Sequence, residues 1–166
     1  MPKMFAFLVT LILFSSCKDT VSETAKVEES SWEIMTDSLP EKSRVDSRAQ
    51  VILDNWKAYT VLERSFDKIY STEFREDFVL IVDELVENQK KLETEEYPVE
   101  FDIPQIKGRQ KVFKTYVLKT KGDLEYRQNP KESILQMITA FNDLRNQFNV
   151  VVKNTLPEEL RANEKN

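Results

Sequence analysis

Apolar residues recur at alternating intervals of three and four positions along most of the chain. This repeat constrains the fold more than any other feature of the sequence. Its most regular run contains Ile134, Met137, Phe141, Leu144, Phe148 and Val151. Such spacing places the apolar side chains on one face of an α-helix, and that face is stable only when other helices cover it. The chain is therefore expected to fold as helices packed side by side.

Three earlier segments carry the same repeat, interrupted at a few positions by polar residues. The first stripe contains Val45, Ala49, Ile52, Trp56, Tyr59, Glu63, Phe66 and Tyr70. The second contains Phe74, Phe78, Ile81, Leu85, Asn88 and Leu92, and the third contains Ile106, Gln110, Phe113, Val117, Thr120 and Leu124. Additional apolar residues widen the second stripe, which predicts a central helix buried over much of its circumference.

Capping residues and prolines set the expected ends of the helices. We expect the first helix to begin near Ser38, with Ser43 as a second candidate start. The third helix is expected from about Gln105, with Gly122 as a kink or an early stop. Asn129, followed by proline and by a glutamate at position 132, predicts the N-cap of the fourth helix.

The connection between the second and third helices carries prolines at positions 98 and 104. Between them Val99, Phe101 and Ile103 alternate with acidic residues, a pattern that predicts an extended segment across the end of the helices. After the fourth helix, residues 157–166 are expected to form a short helix and a frayed tail.

These elements predict an all-α fold, an antiparallel helical bundle of about four helices over residues 39–156. A bundle of four helices requires a turn at Ser71-Thr72. Because no glycine or proline enforces that turn, the alternative is a three-helix arrangement with one long continuous first helix.

Composition excludes several kinds of chemistry. The chain has no histidine, one cysteine and two glycines, so it lacks the usual zinc and haem ligand sets, a Ser-His-Asp triad and a glycine-rich phosphate loop. We therefore expect no metal, no cofactor and no enzymatic activity. The formal charge of −5 opposes binding to nucleic acid.

The first 17 residues have the layout of an export signal. Lys3 precedes an apolar run from Met4 to Phe14, which is shorter than the ~20 residues needed to span a bilayer. The run ends in Leu13-Phe14-Ser15-Ser16-Cys17, which resembles the lipobox of bacterial lipoprotein precursors. Phe14 and Ser16 depart from the commonest form of that motif. The alternatives are an ordinary signal peptide and a short membrane anchor.

The resemblance implies cleavage after residue 16 and acylation of Cys17, by palmitate or similar chains. Residues 17–38 are rich in small polar and acidic residues, and we interpret them as a lipidated flexible tether. The expected location is the bacterial cell envelope, most naturally the outer membrane, in a leaflet that the sequence does not decide.

Six residues at or beside the interruptions of the stripes form the first candidate site. They are Trp56, Glu63, Asn88, Gln110, Thr120 and Arg145. Counting ~1.5 Å per residue from the expected turns brings Asn88, Gln110 and Arg145 to one level of the bundle. Glu63 and Thr120 meet at a second level. These levels predict a paired polar layer or a ligand pocket, unless each side chain turns to the rim and reaches water.

A basic patch on the third helix forms the second candidate site. It contains Lys107, Arg109, Lys111 and Lys114, and it suggests a surface for an anionic ligand. The alternative is that these residues pair with the acidic residues of the second helix across the seam between them.

Two functional hypotheses follow from these features. The first is a lipid-anchored protein-interaction or scaffolding module with a protein partner in the cell envelope. The second is a small-ligand-binding or sensory bundle that uses a polar pocket between helices. An exposed apolar groove favours the first hypothesis, and a closed, partly polar cavity favours the second.

Overall fold

The computed structural model describes residues 39–155, which contain five α-helices and no strand. The helices are α1 (Ser47–Asp54), α2 (Lys57–Asp67), α3 (Arg75–Thr94), α4 (Pro104–Glu125) and α5 (Lys131–Asn154). A 3₁₀ turn, Lys68–Ser71, follows α2. The predicted all-α helical bundle is confirmed. The expectations for residues 1–38 and 156–166 concern parts of the chain outside the described residues.

The four longer helices follow one another in space, since each of α2, α3 and α4 packs against the next helix along the chain. Ring contacts between α2 and α5 close the bundle: the Phe66 and Phe141 rings stack with centroids 3.8 Å apart. The Phe113 ring from α4 lies 5.1 Å from that of Phe141. Three helices therefore meet at Phe141 in the core.

The stripes of α4 and α5 are buried at every predicted position. The first two stripes are not buried near the turn that separates α2 from α3. There Tyr70 is 38% exposed and Phe74 is 63% exposed, because the backbone leaves the helical path between them. Thr72 is extended and its hydroxyl donates to the Lys68 carbonyl at 2.6 Å.

The alternative of one continuous first helix is wrong. Besides the turn after Ser71, the chain breaks at Asn55-Trp56, where Trp56 adopts an extended conformation with φ −93° and ψ 91°. The Asn55 side-chain amide donates to the Val51 carbonyl at 2.8 Å. This local bond competes with helix continuation and ends α1 after eight residues.

Residues 39–46 are not helical, so the predicted starts at Ser38 and Ser43 are wrong. Helix α1 begins at Ser47, with Asp46 as its N-cap, and the Asp46 carboxylate accepts the Arg48 N–H at 3.0 Å. Upstream of this cap, the backbone bonds to side chains of α5. That pairing replaces the hydrogen bonds that a helix would have supplied.

Two asparagines of α5 make most of that pairing. The Asn142 amide accepts the Ser43 N–H at 2.8 Å and donates to the Glu41 carbonyl at 2.9 Å. About two turns further along the same face of α5, the Asn149 amide accepts the Asp46 N–H at 2.7 Å and donates to the Arg44 carbonyl at 3.0 Å. Each carboxamide therefore bonds to the backbone through both its oxygen and its nitrogen.

Two further local expectations need correction. The connection after α3 forms a turn, in which the Pro98 carbonyl accepts the Phe101 N–H at 2.8 Å, and not an extended segment. Phe101 is buried as expected, but Val99 is 89% exposed. Gly122 does not stop its helix, because the Gly122 carbonyl accepts the Tyr126 N–H and the helix runs to Glu125. Asn129 acts close to the predicted cap, since its side chain accepts the Lys131 N–H at 3.0 Å.

Candidate functional site

The polar candidates from the stripes lie inside the bundle. Asn88, Gln110, Thr120 and Arg145 are all at least 95% buried, as is the aromatic Trp56, and Glu63 is partly exposed. They do not form a single layer. Among the described residues no hydrogen bond joins Asn88, Gln110 and Arg145, and each of these side chains has a different partner.

Arg145 lies in an ion-pair network that joins α5 to α2 and to the non-helical residues 39–46, which we call the N-terminal segment. Its guanidinium donates to the Glu63 carboxylate, to the Tyr59 hydroxyl at 3.1 Å and to the Ser43 carbonyl at 2.7 Å. The predicted partner of Glu63 was Thr120, but the Thr120 hydroxyl donates to the Tyr116 carbonyl of its own helix.

Arg145 Nε and Nη1 and Glu63 Oε1 all have partners in this network. Burial raises the pKa of Tyr59 above its ordinary value, which keeps the hydroxyl protonated. Lys42 adds a second cation to Glu63 at 3.2 Å. The arrangement therefore ties α2 to α5 through Glu63, Tyr59 and Arg145.

Asn88 belongs to a second network, between α2 and α3. Its amide donates to the Ser65 hydroxyl oxygen at 2.8 Å, and that oxygen lies 3.0 Å from the Glu84 carboxylate. The Lys68 ammonium, 2.6 Å from Glu84, lowers the pKa of that carboxyl. Ser65 is the buried polar residue that the stripe analysis missed, because it lies one position beside the stripe.

Gln110 lies at the wall of a cleft, and its amide is only half satisfied. The Tyr97 hydroxyl donates to Gln110 Oε1, and burial raises the pKa of Tyr97, which keeps that donor protonated. Gln110 Nε2 is buried and has no hydrogen-bond partner among the described residues. A buried donor left unpaired costs about 1–3 kcal/mol, so an acceptor brought to this nitrogen would be stabilising.

The cleft has a volume of about 870 Å³ and lies between the C-terminal end of α3, the connection that follows it and one face of α4. We call it the α3–α4 cleft. Its charged lining residues are Glu93, Glu95, Glu96, Asp102, Lys107, Lys111 and Lys114. The lining therefore mixes both signs, with one more carboxylate than ammonium group.

Most of these charges are already neutralised. Lys114 pairs with Glu93 at 2.6 Å and Lys107 pairs with Asp102. The Glu95 carboxylate accepts the backbone N–H of Ala58 at 3.2 Å, a bond from a neutral group that leaves its negative charge in place.

Two charged groups of the cleft have no partner among the described residues. The side chains of Lys111 and Glu96 make no ion pair or hydrogen bond within residues 39–155. Each is exposed to solvent. Lys111 and Glu96 are therefore the cation and the anion of the cleft that have no partner of any kind among the described residues, and the charge of Glu95 has no ion-pair partner there.

The predicted basic patch is not a uniform anion-binding face. Arg109 does not line the cleft and pairs with Asp143 of α5 at 3.2 Å. Across the α3–α4 seam, Lys114 pairs with Glu93, and Lys121, outside the predicted patch, pairs with Asp83 at 2.7 Å. Of the four patch residues, Lys111 is the one without a partner in the described part of the chain.

Tyr97 separates this cleft from a smaller one of about 460 Å³, which is lined in part by Trp56 and Asn55. The Trp56 and Tyr97 rings lie 4.8 Å apart, and Trp56 Nε1 is buried without a described partner. Tyr97 and Glu96 line both clefts. Sequence reasoning missed these two residues because they follow the acidic end of α3 on a connection that carries no periodic signal.

A third depression lies between α4 and α5. It has a volume of about 310 Å³, and its lining combines Val112, Tyr116, Leu135 and Ala140 with Glu132, Gln136, Thr139 and Asp143. Val112 is 43% exposed. We call this depression the α4–α5 groove.

The comparisons with known proteins assign no class to this chain. No known protein family, no curated protein and no solved structure matches it. Within residues 39–155 no three side chains of the types that ligate metals lie close enough together to hold an ion. In the same range, none of the helices has both the length and the apolarity to cross a membrane.

Proposed function

We propose that the protein is a lipid-anchored binding protein of the bacterial cell envelope, whose helical domain holds a small polar ligand in the α3–α4 cleft. The observation that carries this proposal is the unpartnered amide nitrogen of Gln110 at the wall of the cleft. The role is binding without catalysis. The cell-envelope location rests on the resemblance of Leu13–Cys17 to a lipobox.

The size and the chemistry of the cleft support a small-molecule site. Its volume falls in the range of about 300–1,000 Å³ that is usual for such sites. Its lining combines the Tyr97 ring and Leu118 with a few polar groups that could orient a ligand. The cleft is open, however, so the affinity is expected to be modest.

The test is a fragment screen by NMR on the full chain in detergent micelles. We expect ligands to shift the side-chain amide resonances of Gln110 and the indole N–H resonance of Trp56, whose ring contacts Tyr97. The Gln89 amide is the internal control, because it is also buried and unpartnered but does not line the cleft. A chemically diverse library that moves no Gln110 resonance would refute the proposal.

A second candidate function is the protein-interaction or scaffolding module that the sequence favours. The specific observation in its favour is the α4–α5 groove, where the exposed Val112 and the half-buried Tyr116 and Leu135 could contact a partner helix. Val112→Asp would place a charge in that groove. Under this candidate, the substitution releases a co-purifying envelope protein, whereas under the first it leaves ligand binding unchanged.

A further inference from the structure

We infer that the ligand of the α3–α4 cleft is a zwitterion of the amino-acid or short-peptide class, whose carboxylate pairs with Lys111 and whose ammonium group pairs with Glu96. The inference rests on the proposed function and specifies the substrate class of that site. Some of the charged groups that line the cleft pair with each other, and others have no partner among the described residues.

Lys111 lies on the wall that α4 contributes. It stands four residues after Lys107 and three before Lys114, so all three belong to one helical face, and all three line the cleft. Its two neighbours are held by Asp102 and Glu93. A ligand carboxylate therefore meets one cation that it does not have to share with a protein carboxylate.

Glu96 lies on the connection that forms another wall. It immediately precedes Tyr97, whose hydroxyl bonds to Gln110, and Gln110 immediately precedes Lys111. These links bring the open anion and the open cation to the same cleft from two different elements. A molecule with separated ends of opposite charge complements both groups at once.

Other ligand charges fit the lining less well. A simple anion would satisfy Lys111 but would lie among four carboxylates, and a simple cation would satisfy Glu96 but would lie among three ammonium groups. In each case one open charge stays unpaired. A zwitterion leaves the charge balance of the cleft unchanged, and its uncharged middle can lie against Leu118 and the Tyr97 ring.

Gln110 supplies the third contact. Its Nε2 atom is buried without a partner, and Tyr97, which holds the neighbouring Oε1 atom, is half-buried. A carbonyl oxygen of the ligand brought to Nε2 would give this donor the partner that it lacks. Because the Tyr97 ring contacts Trp56, a ligand that displaces Tyr97 also changes the surroundings of that indole.

The test uses four peptides that differ only at their ends. They are tri-alanine, N-acetyl-tri-alanine, tri-alanine amide and N-acetyl-tri-alanine amide, titrated into the full chain in micelles and followed by the Gln110 and Trp56 NMR signals. We expect tri-alanine to bind about fivefold more tightly than either singly blocked peptide, as for an exposed ion pair. Alanine, di-alanine and tetra-alanine then measure the preferred spacing of the two charges.

Two charge-neutralising variants connect each end to one residue. Lys111→Gln should remove the preference for a free carboxylate and keep that for a free amino group. Glu96→Gln should do the reverse. The matched controls are Lys131→Gln and Glu73→Gln, which remove the same charges from exposed residues that do not line the cleft and should change neither preference.

The outcomes separate this inference from the proposed function. If N-acetyl-tri-alanine or tri-alanine amide binds as tightly as tri-alanine, the zwitterion assignment is overturned. If no peptide moves the Gln110 signal while other fragments do, the ligand class is wrong and the binding site stands. If nothing moves that signal, both proposals fail together.

Discussion

At the scale of single residues, side-chain amides do three different jobs in this bundle. Asn142 and Asn149 hold a length of backbone, Asn88 joins two helices through Ser65, and Gln110 keeps one donor unused at the cleft. The first two jobs give polar groups of the backbone and of Ser65 a partner and so stabilise the fold. The third leaves a buried donor unpaired, which is the observation behind the proposed site.

We predict that Asn149→Leu destabilises the domain by about 1 kcal/mol, because the Asp46 N–H and the Arg44 carbonyl lose their protein partner. The measurement is the midpoint of urea unfolding. Asn146→Leu is the control, since Asn146 lies on the same helix but is exposed. Equal effects of the two substitutions would mean that the hydrogen bonds between Asn149 and the N-terminal segment add nothing to the stability of the domain.

The sequence could reveal some residues of the site and not others. Gln110 was recognisable because a polar residue interrupted an apolar stripe, and Lys111 and Lys114 because basic residues cluster on α4. Glu96 and Tyr97 could not be found in this way, since their role depends on where a non-periodic connection folds.

At the scale of elements, the helices that are defined by their own sequence were predictable, and those defined by distant partners were not. The burial of α5 follows from its three-four spacing alone. The path of residues 39–46, in contrast, is decided by Asn142, Arg145 and Asn149, about 100 positions later in the chain. Tertiary hydrogen bonds therefore outweigh the helical start signal near Ser43.

The cap of α1 gives this region a pH dependence. Hydrogen bonds from the Arg48 side chain and backbone lower the pKa of Asp46 from 3.8 to about 2. Because the folded-state pKa is the lower one, the cap contributes its full stability above pH 4. That contribution is lost as the pH falls from about 4 to about 2.

Asp46→Asn should remove this pH dependence, since asparagine is also a good N-cap but does not titrate. We expect the difference in unfolding free energy between the parent and the variant to shrink between pH 4 and pH 2. Urea unfolding at half-unit steps of pH measures it. A difference that stays constant over this range would show that Asp46 is not the titrating group.

At the scale of the whole molecule, the described helices pack around one aromatic core, and the proposed anchor lies in the part of the sequence that precedes them. The aromatic core is shared by α2, α4 and α5. The N-terminal segment is hydrogen-bonded to α5 immediately before the first helix. The proposed anchor at Cys17 then reaches the domain through residues 18–38.

The anchor proposal predicts that Cys17→Ser moves the protein out of the membrane fraction. More than one acyl chain on Cys17, at about 0.8 kcal/mol for each buried CH₂ group, would make the attachment of the parent effectively permanent. Serine at this position accepts no thioether-linked lipid, so the variant should appear in the soluble fraction after cell lysis. Its mass should also lack the increment that the acyl chains add to the parent.

Ser16→Ala is the matched control, because it alters the neighbouring residue toward the commonest form of the lipobox and keeps the cysteine. This variant should fractionate with the membrane as completely as the parent does. If Cys17→Ser also remains in the membrane pellet as completely as the parent, the apolar run of residues 4–14 is acting as the anchor, and the lipobox interpretation is wrong.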